Sequence, residues 1–576
     1  MYPKRNVNVP PSRTLGFAPL CALATLTIIS LLSLFLSAPP FRAVSSASSL
    51  STTSGASADR AAILVLARDA ISRLNAVRDS KADSSQLEAL DTQIITLILP
   101  PSLSGVAMPT TPRAMTAELM AAKEKNVADA LIAKDIKATI LSIDFHISPI
   151  ADLKHVLSLG FPGVKVEDRS LSGACVRMQT CASASNLAVL RGDVGHSMHF
   201  GEVVRHEFFE AYRSDAQRLV KDADVMICSH PTGMCELIMP FGKPVILWAT
   251  TRFEQGRERH VVRLNGWIQN FQSLAALPGS AVAANNMYDV HYVHYFTGIM
   301  PRYIPSHSGF PNVQWTWTTK STKKTILVHG FRPFRDIYGS LTPAPPNESE
   351  AAAHARKLNA FLNPLRESVA AAHARFDFLP LRAALGDDYK YADLASYPAI
   401  LHFPYQVSIM SFFEQYRMGI PIIAPSLTLL TRWHAESLFV SERTWDTVLY
   451  NKPSKSSVIP RHADADEPFD PNDEENPEAI RWWLQWSDYY VFPHVILFDS
   501  WSHLTEILET IDLEAVSAKM KIANANIEED IMSAWTDILK NIPISSHSET
   551  DEIKNMGYEE RMNHFYGIGK WADYNW

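Results

Sequence analysis

Residues 404–426 read PYQVSIMSFFEQYRMGIPIIAPS, and the pattern of this segment indicates the fold class of the second half of the chain. A polar loop leads into a helix that we expect from about residue 408 to residue 418. Gly419 follows, and a glycine in the left-handed conformation commonly ends a helix. Ile420 and Pro421 then open a short apolar run that is typical of a buried strand. The stretch therefore predicts a loop–helix–turn–strand unit of a parallel α/β sheet.

The same alternation of strands and helices extends on both sides of this unit. In the second half of the chain, strand patterns occupy residues 323–330, 398–405, 420–426 and 495–500, and helical patterns lie near 350–374, 502–511 and 514–541. In the first half, strand patterns occupy residues 138–144, 224–230 and 243–250, and helical patterns lie near 115–133, 146–160 and 206–221. Such alternation predicts doubly wound α/β domains.

We therefore expect two tandem Rossmann-like domains, at 136–310 and 320–541, followed by a C-terminal tail at 542–576. The acidic run at 463–478 is predicted to be an insertion without a fold of its own. Open α/β sheets bind ligands at the carboxyl ends of their strands, so two such domains predict a ligand cleft between two sheet edges.

Length and charge set further bounds. The chain has 576 residues, which exceeds one ordinary core, and a formal net charge of -8. Nucleic-acid binding requires a concentrated basic face, and the sequence has no basic run beyond its first residues. We therefore expect no nucleic-acid partner.

The N-terminus predicts a membrane anchor. Residues 15–38 form a run without charged residues that is long enough for a helix to cross a bilayer. The basic residues Lys4, Arg5 and Arg13 precede this run. This pattern predicts a cytosolic tail at 1–14 and a single-pass type II anchor in the ER or Golgi, with the catalytic region in the lumen. A cleaved signal peptide is the alternative. Residues 39–135 are expected to form a stem with helices, which either self-associates into a homodimer or packs on the body.

Four cysteines follow the anchor region, which makes disulfides possible in an oxidising compartment. Their local spacing suggests the pairs Cys175–Cys181 and Cys228–Cys235. Buried free thiols are the alternative, because spacing alone does not settle connectivity.

The helix predicted after residue 407 has the features of an anion site. Its first residues, around Ser408 and Ser411, present free backbone N–H groups and the positive end of the helix dipole, which suits a phosphate. Tyr405 and Gln406 lie in the loop that leads to it. Glu414 lies within two helical turns and can accept two hydrogen bonds from a vicinal diol such as ribose.

Residues 414–424, EQYRMGIPIIA, resemble the E-A-x-x-x-G-x-P-V-I-A segment of GT-B glycosyltransferases. The resemblance implies a nucleotide-sugar donor bound by the C-terminal domain, with Glu414 on the nucleotide ribose. It also implies an acceptor, a glycan, glycoprotein or glycolipid, bound by the N-terminal domain. Many retaining members carry a second glutamate eight positions earlier, where this chain has Gln406. Whether the reaction retains or inverts configuration therefore stays open.

The catalytic candidates follow strands of the first domain. His146 ends the first strand pattern and could deprotonate a sugar hydroxyl, with Asp144 or Asp152 orienting its ring. A helix-capping role is the alternative for His146. His230 ends another strand at the same edge and is a rival base or an acceptor contact.

Three arginine and glutamate side chains are further candidates for the cleft. Arg252 and Glu254 follow the third strand pattern, where they either contact the acceptor or form a surface ion pair. Arg332 follows the first strand of the second domain and could neutralise the donor diphosphate.

Two Asp-x-Asp pairs, at 222–224 and 464–466, resemble metal-binding motifs, but one begins a strand and the other lies in a charged run. We therefore expect neither a cofactor nor a catalytic metal. Two other function classes stay open: a non-catalytic carbohydrate-binding or scaffolding protein, and a luminal sugar hydrolase or epimerase.

Overall fold

The structure is a computed structural model, and it describes residues 133–171, 190, 201–213, 218–257, 261–330, 350–372, 375–386, 388–444, 454–543 and 550–567. The predicted anchor at 15–38, the stem up to residue 132, Cys175, Cys181 and Arg332 lie outside these ranges. In the described part of the chain, no helix combines the length and the apolar character needed to cross a membrane.

The first sheet has six parallel strands in the order β2-β1-β3-β4-β5-β6. They are β1 Ala138–Asp144, β2 Val164–Ser170, β3 Val225–Cys228, β4 Val245–Ala249, β5 Ala281–Ala284 and β6 Arg302–Tyr303. The helices between them are α1 Ile147–Gly160, α2 Glu202–Tyr212, α3 Arg218–Lys221, a 3-10 helix Thr232–Phe241, α4 Val261–Ala275 and α5 Met287–Thr297.

The second sheet has five parallel strands in the order β11-β10-β9-β7-β8. They are β7 Thr325–His329, β8 Asp377–Pro380, β9 Ile400–His402, β10 Ile422–Pro425 and β11 Ile496–Phe498. Its helices are α6 Glu350–Ala372, α7 Leu381–Leu385, α8 Tyr391–Leu394, α9 Met410–Arg417, α10 Leu427–Ser437, α11 Pro477–Leu484, α12 Asp488–Val491, α13 Trp501–Thr510 and α14 Leu513–Leu539. The expectation of two parallel α/β sheets in tandem is confirmed.

Two glycines of the second domain have positive φ angles, and the sequence pattern predicted this conformation for Gly419. Gly419 ends the α9 region with φ of +76°, in the left-handed region. Gly330 follows β7 with φ of +94°, and a Cβ there would lie 2.5 Å from the carbonyl oxygen of Phe403. Only glycine at position 330 lets the loop after β7 approach the backbone of Phe403, after β9, so closely.

The C-terminal segments return to the first domain. Trp535, near the end of α14, packs edge to face on Trp248 of β4, with ring centroids 5.5 Å apart. Helix α15, Asp551–Asn555, and helix α16, Tyr558–Tyr566, follow. Tyr558 of α16 packs on Phe209 of α2 at 5.7 Å. The packing therefore differs from the predicted domain ranges, because part of 320–541 and of the tail 542–576 completes the core of the first domain.

The acidic segment is ordered, so the prediction that residues 463–478 lack a fold is wrong. One of its carboxylates bonds within the segment: Asp470 accepts hydrogen bonds from the backbone N–H and the hydroxyl of Ser457, at 2.8 and 2.5 Å. Asn476 then caps α11 by accepting from the N–H of Glu478 at 3.0 Å. We call residues 454–476 the acidic strap. Its order depends on partners distant in sequence, which composition alone does not show.

Cys228 and Cys235 form a disulfide, with their Cα atoms 5.8 Å apart. This bond joins the end of β3 to the 3-10 helix that follows it. It confirms one of the two pairs suggested by spacing, and it lies directly before Ser229 and His230.

Candidate functional site

Asp144, at the carboxyl end of β1, organises the edge of the first sheet. One carboxylate oxygen accepts from the backbone N–H of His146 at 2.8 Å. The other accepts from the Ser229 hydroxyl at 2.5 Å and from the backbone N–H groups of Ser229 and His230 at 3.3 and 3.0 Å. Burial raises the pKa of Asp144 to about 7, although these hydrogen bonds oppose the shift. Asp144 therefore joins the loops after β1 and β3.

The structure does not show Asp144 or Asp152 orienting the ring of His146. Asp144 bonds only the backbone N–H of His146, whereas Asp152 accepts from the backbone N–H groups of His307 and Ser308 at 2.9 and 2.5 Å. Both carboxylates bond main-chain N–H groups, and Asp144 also bonds the Ser229 hydroxyl, so they act on loop geometry.

His146 caps α1, the alternative that the sequence left open. Its Nδ1 accepts from the backbone N–H of Ser148 at 3.3 Å. An Nδ1 that accepts a hydrogen bond carries no proton, so the neutral ring carries its proton on Nε2 and donates from there. Burial also lowers the pKa of His146. In this conformation the free nitrogen of His146 is a hydrogen-bond donor, not a base.

His230 lies beside His146, with ring centroids 5.1 Å apart. Its ring nitrogens make no hydrogen bond to other described residues. Burial, together with the neighbouring His146 and Arg252, lowers the pKa of His230 to about 3. The ring is therefore neutral at physiological pH and keeps one unprotonated nitrogen.

Arg252, after β4, is buried, so the surface ion pair considered for it is not what forms. Its guanidinium pairs with the buried carboxylate of Asp289, with Nε 2.6 Å and NH2 2.8 Å from the two oxygens. Its NH1 donates to the backbone oxygen of Arg443 at 3.2 Å, which links the two domains. Glu254 accepts from the Tyr292 hydroxyl at 2.7 Å inside the first domain.

The edge of the second sheet carries the predicted donor loop. Helix α9 begins at Met410, two residues later than Ser408, and no side chain caps its N-terminus. The Ser408 hydroxyl is buried beside the Asp488 carboxyl, whereas Ser411 is half-buried in the first turn. Gln406 donates from its amide to Glu442. The backbone N–H of Glu442 bonds the carbonyl oxygen of Tyr405 at 2.8 Å. The N-terminal N–H groups of α9 are thus left without a side-chain cap.

Glu414 lies on α9 and is buried. The pKa of Glu414 is raised to about 7, mainly by burial. A hydrogen bond from Tyr391 opposes this shift, and the charge of Asp152 adds to it. Asp152 belongs to α1 of the first domain, so Glu414 lies on the side of α9 that faces that domain. No pattern in the sequence indicated Tyr391, at the start of α8, as a residue of the candidate site.

The two sheet edges face each other across the domain boundary. Met410, the first residue of α9, accepts at its sulfur from the Ser306 hydroxyl at 3.5 Å. Ser306 in turn accepts from the Asn285 amide, after β5, at 3.2 Å. The start of α9 therefore lies next to the carboxyl end of the first sheet, as the cleft prediction requires.

Asp488 is a candidate that sequence reasoning missed. It begins α12, it is fully buried, and neither carboxylate oxygen meets the distance and angle requirements of a hydrogen bond with another described residue. Burial raises its pKa well above the ordinary value; the Ser408 hydroxyl and Arg252 oppose the shift, and Asp289 reinforces it. A single aspartate in the run Ser487–Tyr490 carries no motif, so only the fold brings it to the domain boundary.

No protein-family model matches the chain, and no curated protein matches it. The solved structures that are similar to it include the following two. The glycotransferase of kitacinnamycin is 12% identical, with a TM-score of 0.31, over 71% of this chain and 100% of that one. The glycosyltransferase SnogD from Streptomyces nogalater is 12% identical, with a TM-score of 0.30, over 70% of this chain and 100% of that one. Likeness at this level carries no argument about activity. The chain itself has two parallel α/β sheets, one of six strands and one of five.

Proposed function

We propose that this chain is a glycosyltransferase that moves a sugar from a nucleotide donor to a hydroxyl of a glycan, glycoprotein or glycolipid. The observation that carries the proposal is Glu414, a buried carboxyl on a helix without an N-terminal cap at the edge of the second sheet. A vicinal diol offers the two donors that such a carboxylate accepts, and the start of α9 offers N–H groups to a phosphate. A nucleoside diphosphate contains both groups.

The first domain supplies a base in this proposal. The acceptor hydroxyl gives its proton to His230 while its oxygen bonds the anomeric carbon, and the nucleotide diphosphate leaves with the electrons of the broken bond. His230 is favoured over His146 because it keeps an unprotonated nitrogen without a hydrogen-bond partner among the described residues. The negative charge of a bound diphosphate raises the pKa of nearby histidines, which strengthens this base once the donor is present.

The remaining parts of the proposal concern the leaving group and the compartment. Arg332 and the α9 N-terminus would balance the charge of the diphosphate, so the chemistry needs no metal. Residues 15–38 would anchor the protein in the ER or Golgi membrane, with the catalytic region in the lumen and the stem as a possible dimer contact. The Cys228–Cys235 disulfide supports an oxidising compartment.

Nucleoside diphosphates are expected to stabilise the full-length chain against heat. A ligand that binds only the folded state at about 100 times its Kd adds roughly 2.7 kcal/mol to the free energy of unfolding. Thermal unfolding with UDP, GDP, ADP and CDP, with and without EDTA, measures the shift in melting temperature and identifies the nucleobase that the chain prefers. We expect the shift to disappear in Glu414→Ala and to persist in Glu506→Ala, whose side chain is exposed on α13. A folded chain that responds to none of the four would favour the non-catalytic carbohydrate-binding alternative.

Nucleotide affinity is expected to fall below pH 7. Glu414 accepts two hydrogen bonds only when it is ionised, and its pKa in the ligand-free chain is about 7. Because that pKa is raised, the proton is bound at low pH and must be released before the ribose binds. Kd should therefore rise roughly tenfold per pH unit below pH 7, since each pKa unit is worth about 1.4 kcal/mol. Calorimetric titration from pH 5 to pH 8 measures this slope. Glu414→Gln should bind more weakly and lose this part of the dependence; an unchanged slope in the variant would assign the titration to another group.

A further inference from the structure

A cluster of histidine and carboxylate side chains joins the acidic strap to helix α5 of the first domain. His291 and His294 are three residues apart, on one face of α5. Their Nδ1 atoms lie 3.1 and 2.9 Å from the same oxygen of Glu467. Asp466 is next to them, with a carboxylate oxygen 3.9 Å from Nδ1 of His294. We call these four residues, His291, His294, Asp466 and Glu467, the clasp.

The spacing of these atoms suits a small cation. Ligand atoms about 2.0–2.2 Å from a tetrahedral Zn²⁺ lie roughly 3.3 Å from one another, close to the observed separations of imidazole nitrogens from the Glu467 oxygen. The ligand atoms of His294, Asp466 and Glu467 all lie within 4.8 Å of one another. The Asp466 side chain is 91% exposed, so it can turn inward by the remaining distance without disturbing the core.

The charge balance also favours a cation. The Glu467 side chain is only 1% exposed. Its carboxylate is in hydrogen-bond contact with the rings of His291 and His294. Arg461, the adjacent cation, donates to the backbone oxygen of Glu467 at 2.7 Å and not to its carboxylate. The clasp therefore brings two carboxyl groups together with two imidazoles, and the nearby Arg461 leaves the Glu467 carboxyl group to the imidazoles.

The histidine rings are held in place before any ion arrives. The His291 ring lies 4.3 Å from the Trp486 ring and 5.5 Å from the Trp482 ring. The backbone N–H of His462, in the strap, bonds the carbonyl oxygen of Tyr295 at 2.8 Å, which fixes the strap against α5. Ligands that are already oriented lose little entropy on binding, which favours affinity.

We propose that the clasp is a Zn²⁺ site that fastens the acidic strap of the second domain to the first domain. Two imidazoles with two carboxylates are ligands that Zn²⁺ prefers, whereas Mg²⁺ and Ca²⁺ prefer oxygen ligands alone. The role is structural and does not depend on the proposed sugar transfer. This proposal differs from the prediction from sequence, in which the Asp-x-Asp pair at 464–466, and therefore Asp466, binds no metal.

Metal binding by the purified full-length chain tests the proposal. The chain is stripped with EDTA and dialysed against buffers of set free Zn²⁺, and bound zinc is measured by mass spectrometry. We expect one Zn²⁺ per chain and no competition from Mg²⁺. When Co²⁺ replaces Zn²⁺, we expect the visible absorption band of tetrahedrally coordinated Co²⁺. Zn²⁺ should also raise the melting temperature of the chain.

Three variants separate the clasp from other histidines. His294→Ala should weaken Zn²⁺ binding by roughly 100-fold or more, and Asp466→Ala by roughly 10-fold, since even the groups that support metal ligands are worth 10–100-fold. Asp466→Ala removes an exposed side chain, so its fold should be intact even if His294→Ala unfolds. His503→Ala, a partly exposed histidine on α13, should bind like the parent chain. Absence of binding by the parent, or equal affinity in Asp466→Ala and the parent, would overturn the proposal.

Discussion

His230→Ala is expected to lower kcat for sugar transfer by roughly 10²- to 10⁴-fold, the usual contribution of a positioned general base. In the proposed reaction, His230 is the group that removes the acceptor proton. The backbone N–H of His230 is held by Asp144, and its ring is neutral at physiological pH. Alanine keeps the backbone contact but removes the basic nitrogen. KM for the donor should change little, because the donor is expected to bind the second domain.

A matched variant separates the two histidines of this edge. His146→Ala removes the side-chain cap of α1, worth about 1 kcal/mol of stability, and a hydrogen-bond donor at Nε2. It should affect KM and thermal stability more than kcat. Rates are measured as nucleotide release from sugar donors that carry the nucleotide identified by thermal shift, over the full pH range. If kcat falls in His146→Ala and persists in His230→Ala, the base is His146 and the capped conformation is not the reactive one.

Glu474→Ala is expected to destabilise the chain by about 3–5 kcal/mol, the cost of removing one partner from a buried ion pair. Glu474 belongs to the acidic strap, and its side chain is 0% exposed. One of its oxygens lies 3.0 Å from NH2 of Arg443, and the other lies 2.5 Å from Nε2 of His434. Without Glu474, the buried guanidinium of Arg443 has lost its counter-charge. The measurement is the free energy of unfolding in urea.

The neighbouring residue provides the control. Glu475 has the same side chain, is 50% exposed, and pairs with the exposed Lys455 at 3.0 Å. Glu475→Ala should change the free energy of unfolding by at most about 1 kcal/mol, as exposed ion pairs do. Equal effects of the two substitutions would mean that the strap is not held by its buried charges. Because the backbone oxygen of Arg443 also accepts from Arg252 of the first domain, loss of Glu474 should also weaken the contact between domains.

Much of the second domain was predictable because its strands and helices have distinct periods. The apolar run before Pro404, the helix containing Glu414 and the glycine at 419 appear close to their predicted bounds, since local pattern and tertiary burial agree there. The strands without a predicted counterpart are β2, β5, β6 and β8, of which β2 has no fully buried side chain. Strand β5 is four residues of alanine and valine, β6 has only two residues, and the edge strand β8 alternates half-buried with exposed side chains.

The candidate site was predictable in residue type and less so in role. Asp144, His146 and His230 follow strands, and the carboxyl ends of parallel strands meet at one edge, so their proximity follows from the alternation. Their hydrogen bonds do not follow from the alternation, because each depends on the position of a loop to within a fraction of an ångström. The Nδ1 of His146, for example, accepts from the backbone N–H of Ser148, so the ring caps α1, which the sequence left as an alternative.

The sequence alone determined the features that come from short-range periodicity: the alternation of strands and helices, two tandem α/β domains and the local helix, turn and strand around Gly419. Tertiary structure decided whatever depends on partners far apart in the chain. The acidic strap is the clearest case, because Glu467 meets histidines of α5 that lie 176 and 173 positions away. A run of acidic residues is solvated when its neighbours are water and folded when its neighbours are buried cations and imidazoles. Only the three-dimensional fold brings those partners within reach, so composition predicted an unstructured loop where the two domains are joined.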